Sequence, residues 1–221
     1  MTLQDAVQAG MVAASGTVTT ANYYRSVTEG MNNAEKQNTN LYQNRQEDVV
    51  VSTLLDGYNG IRVLNANGYT YTGSITVNDG CGSVRLYGKG TAQEITLNDM
   101  RGDLLYVGGN TTAANVTIQD ATLNTLNVVG RGDCTINGGQ YQNIITNIYY
   151  AKKTDSTPKS IPQLSITGGF FASDAVTCEY TNHSLEDGTA SKQVPLSDFV
   201  ADGYIIVEST GAYPYQVVKK S

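Results

Sequence analysis

Tryptophan is absent from the 221 residues, histidine occurs once, cysteine three times and proline four times. Charged residues make up only 15%, and the formal net charge is -6. Each scarcity excludes something. The single His and the three Cys show no metal-spaced Cys/His cluster of the zinc-finger type. An odd number of cysteines argues against a full disulfide framework. The redox states of Cys81 and Cys178 are open, whereas Cys134 falls at an inward β position and reads as core packing. An acidic chain without basic runs is a poor nucleic-acid binder. No apolar run approaches 18 residues, so no helix long enough to span a membrane is expected. Met1-Thr2-Leu3-Gln4-Asp5 lacks a basic export-signal start. Either such a signal was removed or the natural protein never had one, as for a phage virion protein.

What fills the space is polar and turn-forming. Asn, Thr, Gln and Ser carry the solubility, 23 glycines supply turns, and there are 15 tyrosines. The organising stretch runs from Ile75 to Gly138. Ile75-Thr76-Val77-Asn78-Asp79 is followed by Ile95-Thr96-Leu97-Asn98-Asp99, Val116-Thr117-Ile118-Gln119-Asp120 and Cys134-Thr135-Ile136-Asn137-Gly138, with starts 20, 21 and 18 residues apart. A second series interleaves: Val84 to Gly88, Leu104 to Gly108 and Leu126 to Gly130. Two strand series sharing one period indicate a coiled sheet, a solenoid. Period-two alternation places the aliphatic residues inward. Thr76, Thr96, Thr117 and Thr135 then form an outward ladder about 4.8 Å per step. Stacked amides (Asn78, Asn98, Gln119, Asn137) are expected to hold one corner, and Gly88, Gly108 and Gly130 the next.

Residues 1–50 do not fit the repeat. A short helix over Ala6–Ala14, a strand at Thr17–Thr20 and a thin apolar stripe from Glu29 to Asp48 suggest a cap for the first rung, or an attachment and oligomerisation segment. Residues 51–173 are expected to form the solenoid. Ile144–Ile148 continues the second series, Leu164–Gly169 restores the first, and Tyr149–Ile161, with Lys152, Lys153 and Lys159, is an inserted loop of the kind that serves binding in repeat proteins. Residues 174–221 read as a closing module. Ile205–Glu208 and Tyr215–Lys220 form its hairpin, with Phe170, Phe171, Phe199 and Tyr204 sealing the last rung. The expected fold is all-β: a right-handed parallel β-helix with a short mixed N-terminal segment and a closing hairpin.

Residues 61–170 thereby resemble the right-handed parallel β-helix, or pectate-lyase-like, superfamily. Ile166-Thr167-Gly168-Gly169-Phe170-Phe171 with Phe199-Val200-Ala201-Asp202-Gly203-Tyr204 looks like a closing module of β-helical surface proteins of Gram-positive bacteria and their phages. The resemblance implies a fold. It also implies an activity to test, since enzymes of that superfamily use acidic clusters that bind calcium, with a basic residue as proton acceptor, or carboxylate pairs.

The matching candidates are Asp79, Asp99 and Asp120, one per rung, with Arg101 as the cation. Neighbours in such a column would lie about 4.8 Å apart and the outer pair about 9.6 Å, spacings compatible with a glycosidase pair or with a calcium ion. The competing reading is that Asp at a corner is ordinary turn chemistry; Arg101 is placed in a turn, with nothing setting it beside the column. His183 falls in a polar loop away from the rungs, and Arg-Gly-Asp at 101–103 and 131–133 reads as turn sequence. Tyr149 and Tyr150, beside the inserted loop, are the expected ligand-binding residues, as exposed rings for a sugar or a protein; Tyr106 is read as inward. The expected function is a non-enzymatic structural and recognition β-helix of a virion or bacterial surface. It would need no resident cofactor and would bind a glycan or neighbouring protein as a homo-oligomer, with a trimer as one such state. The alternative is a polysaccharide lyase or glycoside hydrolase using the Asp column.

Overall fold

The structure is a computed structural model and describes residues 31, 38–41, 43–52, 61–88, 94–185 and 188–221. The expected helix at Ala6–Ala14 and the strand at Thr17–Thr20 lie outside the described residues. So does most of the expected cap or oligomerisation segment.

The chain is all-β, with stacked parallel strands forming a β-solenoid. Its strands in order are β1 (Asn38–Asn40), β2 (Arg45–Gln46), β3 (Val49–Val51), β4 (Ile61–Asn65), β5 (Tyr71–Val77), β6 (Ser83–Tyr87), β7 (Glu94–Val107), β8 (Ala114–Ile118) and β9 (Ala121–Val129). There follow β10 (Gly132–Ile136), β11 (Gln140–Tyr149), β12 (Gln163–Ile166), β13 (Gly169–Phe171), β14 (Ala175–Thr181), β15 (Ser191–Pro195), β16 (Tyr204–Glu208) and β17 (Tyr215–Lys219). Parallel pairing begins at β1 and runs to β14, so it reaches beyond residues 51 and 173 at both ends.

The pairings define three columns. The first stacks Tyr71–Gly73, Ile95–Leu97, Val116–Ile118, Cys134–Ile136 and Leu164–Ile166. The second stacks Val49–Val51, Ile75–Val77, the stretch from Met100, the stretch from Ala121, then Gln140–Tyr141 and Phe170–Phe171. The third runs from β1 through β4, β6, the end of β7, β9 and β11 to β14. Strict alternation sends Ile95, Leu97, Val116, Ile118, Leu105, Val107, Leu126 and Val128 inside, all fully buried. Burying an aliphatic side chain of this size stabilises by about 1.5–3 kcal/mol, which fixes the register, since a one-residue slip would turn the whole set to water.

The register differs from the sequence reading in one rung. Ile95 pairs with Tyr71, not Ile75, and Ile75 pairs with Met100. The outward ladder is therefore Thr72, Thr96, Thr117, Thr135 and Ser165. Tyr71, Gly73, Ile75 and Val77 all point inward, so a slip of four residues leaves the alternation intact and the pattern cannot reveal it. Packing decides it. Tyr71 is large and fully buried, and its hydroxyl donates to the Glu47 carbonyl at 2.8 Å. A Cβ on Gly73 would run into the Glu47 carbonyl and lie 2.7 Å from that phenol oxygen. The amide corner holds in part: Asn137 donates to Gln119 at 3.0 Å and accepts from Thr167 at 2.7 Å. The glycine corner is offset, because Val107 stacks on Val128, which leaves Gly108 level with Val129 rather than Gly130.

Both ends of the core are covered. At one, the inward Arg62 is 1% exposed and donates to the Met31 carbonyl at 3.0 Å; desolvation lowers its pKa. At the other, β17 pairs antiparallel with β13 and with β16, forming the expected hairpin. Phe171 stacks on Tyr141 with ring centroids 5.5 Å apart. Phe199 and Tyr204 pack against the core, while Phe170 faces outward, 38% exposed. All three cysteines are buried and free.

Candidate functional site

A rung is short where its corners are short, and a cleft opens where one corner is long. Residues 78–83 link Val77 to Val84 in one rung. Only residues 103–104 make the equivalent link from Gly102 to Leu105 in the next, and residues 124–125 from Leu123 to Leu126 in the one after. The longer turn, with Gly80 and Gly82 at φ of 74° and 92°, stands proud of its neighbours. Beside it lies an open cleft of about 680 Å³, whose polar lining includes Asp79, Arg101, Asp103, Thr122 and Asn124.

Most of these groups are held by bonds within one strand and from rung to rung. Arg101 donates through Nε to Asp99 Oδ2 at 2.8 Å and through Nη1 to Thr122 Oγ1 at 2.8 Å. Asn124 donates to Asp103 Oδ1 at 2.6 Å, and Asn143 donates to the Asn124 carbonyl at 3.2 Å. Asp99 Oδ1 is buried without a hydrogen-bond partner. The cleft thus presents two carboxylates, one anchored guanidinium, a hydroxyl and an amide on a backbone that cannot shift without disturbing its neighbours.

The expected aspartate column does not assemble as such. Asp99 and Asp120 occupy one corner in successive rungs, because Leu97 pairs with Ile118 and Met100 with Ala121. The displaced register moves Asp79 to the other end of the second column, into the cleft. Asp120 accepts from the Ala121 amide at 2.9 Å, a turn contact. Arg101 lies in β7, not in the turn expected for it, and it sits beside Asp99, although nothing in the sequence set it beside the column. Among the described residues, no group of three or more His, Cys, Asp or Glu side chains converges to hold a metal ion.

Asp103, Thr122 and Asn124 are functional candidates that the repeat pattern does not single out. The available signal is alternation: Arg101 and Asp103 flank Gly102, and Thr122 and Asn124 flank Leu123, so each pair shares the outward face.

The tyrosine patch is also rearranged. Tyr150 is 8% exposed and stacks on His183 with centroids 4.1 Å apart. Tyr149 is half-buried, and its backbone pairs with Ser160 across the inserted loop. Tyr150 is therefore part of the packing that fastens the loop to the last rung, with Asn182 donating to its carbonyl at 3.2 Å, and not an exposed platform. His183, expected to lie apart from the rungs, belongs to that packing. Tyr106 faces outward, with the Arg85 guanidinium 4.3 Å above its ring.

No protein-family model, no curated protein and no solved structure matches the chain. The solenoid and its cleft are thus the whole basis for a functional reading.

Proposed function

We propose that this chain is a rigid recognition element that binds a hydroxylated ligand, a neutral or amine-bearing glycan segment, in the cleft beside the Asn78–Ser83 turn. The observation that carries the reading is the lining of that cleft. Asp79, Asp103 and Asn124 supply acceptors and Arg101 supplies donors, all on one outward face, and a sugar offers both complements through its hydroxyls. The volume, about 680 Å³, falls in the range of small-molecule sites. The excess of acceptors over donors disfavours an acidic sugar there.

Such an element suits display on a virion or bacterial surface, among the closing-module β-helices it resembles, with residues 1–30 serving attachment or oligomerisation in this reading. The test is binding of the intact chain to immobilised neutral, amino and acidic glycans. Asp103→Asn together with Asn124→Ala should weaken retention of the bound glycan about tenfold or more, as expected for lost hydrogen bonds to a charged group. Retention unchanged by both substitutions would refute this site.

A second reading is favoured by one contact, Arg101 beside Asp99: a polysaccharide lyase or hydrolase. An Asp99→Ala variant that leaves turnover of polyuronides or neutral glycans unchanged, or a wild type without turnover, would exclude it.

A further inference from the structure

A second cleft, of about 430 Å³, lies at a different corner of the coil, and its chemistry is the reverse of the first. It forms by the same rule. The link from β9 to β10 is only Gly130-Arg131, whereas residues 150–162 separate β11 from β12 one rung later. The long link folds back as a hairpin, with Tyr149 and Ser160 exchanging backbone bonds at 3.0 and 3.2 Å. Ser160 Oγ then donates to the Asn110 carbonyl at 2.9 Å, which clamps the loop over the corner. Arg131, Asp133, Lys159, Ser160, Ile161 and Gln163 line the space beneath.

We propose that this cleft binds an oxyanion ester, a phosphate or sulfate carried on a hydroxylated ligand. Two cations from different rungs face it in a chain of net charge -6. Among the described residues the one side-chain ion pair is Arg101–Asp99, so Arg131 and Lys159 are not neutralised by Asp133 or by any other described carboxylate within ion-pair distance. The Lys159 side chain makes no hydrogen bond to a described residue. Arg131 makes a single 3.5 Å contact to the Thr111 carbonyl, at the limit of a hydrogen bond. A guanidinium fork and an ammonium approaching from separate elements match an oxyanion with oxygens in several directions. The rest of the lining fits the carrier: Gln163 and Asp133 for hydroxyls, and Ile161, the most exposed large apolar side chain described at 54%, for a carbon face.

The experiment is a titration of the intact, isotopically labelled chain with glucose 6-phosphate, inorganic phosphate and glucose, followed by amide chemical shifts. Glucose 6-phosphate should shift Arg131, Gly132, Ser160 and Ile161; inorganic phosphate should do so more weakly, and glucose should not. Arg131→Gln with Lys159→Gln, both at exposed side chains, should weaken glucose 6-phosphate binding about tenfold or more. Asp103→Asn in the first cleft should leave it unchanged, which separates this site from the glycan reading. Unaltered binding in the double variant, or glucose 6-phosphate leaving Arg131, Gly132, Ser160 and Ile161 unshifted in the wild type, would overturn the site. Inorganic phosphate binding as tightly as the ester would overturn the ester assignment.

Discussion

The two clefts are built alike and charged oppositely. Each arises where a long corner overhangs a short one: residues 78–83 above 103–104, and residues 150–162 beside Gly130-Arg131. The walls differ in how they are fixed. The first is a glycine turn whose Gly80 has open space around it. The second is a hairpin with backbone bonds and a side-chain clamp. At the first cleft Arg101 is tied to Asp99 and Asp103 accepts from the Asn124 amide, whereas the second cleft's cations have no ion-pair partner among the described residues. Position in a solenoid therefore does not fix chemistry. The inward side chains of the strands hold the rungs, and the corners, which add only a few core side chains such as Ala66 and Cys81, are free to differ in length and charge.

The largest expected effect treats both clefts as parts of one body. Leu126 is fully buried in the third column, between Leu105 and Ile144. Leu126→Ala removes its transfer energy and leaves a cavity, at a cost of about 3 kcal/mol. Thermal melting should show the loss as one cooperative shift, with binding at both clefts disappearing over the same temperature range. Separate losses would mean that the clefts ride on independently folding segments and that their comparison as one scaffold fails.

What the sequence makes legible follows from this division. The inward columns are legible because burial enforces period two, and Ile95, Val116 and Cys134 with their partners two residues on satisfy it without ambiguity. The rung at Tyr71–Val77 is not, because four consecutive inward positions admit two registers, and the packing of Tyr71 and the Glu47 carbonyl against Gly73 is not written in the period. The same ambiguity hides the first cleft: the period alone puts Asp79 in the column of Asp99 and Asp120, and Arg101-Gly102-Asp103 has the composition of a turn while lying in a strand. The inserted loop at Tyr149–Ile161 shows itself by the break in period. The fate of Tyr150 is not legible, because its stacking partner, His183, lies more than thirty residues away and comes back only when β14 pairs with β11.

Alkaline pH should load both wall-bearing rungs. Tyr71 lies in β5, which leads into the first wall, and Tyr141 in β11, which leads into the second. Desolvation, then Glu47 and Asp48 nearby, holds the Tyr71 phenol protonated well above its ordinary range. Desolvation, then Cys134 and Asp120, does the same for Tyr141. Desolvation, then Asp133, also raises the Cys134 thiol. A pKa raised in the folded state means that the native chain holds the proton more tightly. The stabilisation is complete below the unfolded value and declines as pH rises above it, towards the folded one. The decline should start near pH 8.5 with Cys134 and steepen above about pH 10, by roughly 1.4 kcal/mol per pH unit for each phenol. Chemical denaturation between pH 8 and 11 measures it. Tyr71→Phe and Tyr141→Phe should each flatten the upper slope, after costing about 1 kcal/mol at neutral pH for the lost hydrogen bond. A flat profile through pH 11 would show that the two phenols are not sealed in.

The smallest effect tests whether tied charges matter for stability or only for the ligand. The Arg101 and Asp99 side chains are 50% and 33% exposed, so water screens the pair. Its coupling should be below about 1 kcal/mol in a double-mutant cycle of Arg101→Gln and Asp99→Asn, and smaller again in high salt. Asp99→Asn should sit near neutral, because the substitution removes a carboxylate whose Oδ1 is already buried without a partner. Glycan retention should respond differently. Loss of Arg101 removes the cleft's anchored donors, while loss of Asp99 only loosens them, so Arg101→Gln should weaken binding more than Asp99→Asn. Equal effects on binding would place Asp99 in direct contact with the ligand. A coupling well above 1 kcal/mol in stability would make the pair part of what holds the rungs, and the contrast between a tied cleft and an untied one would then be structural rather than functional.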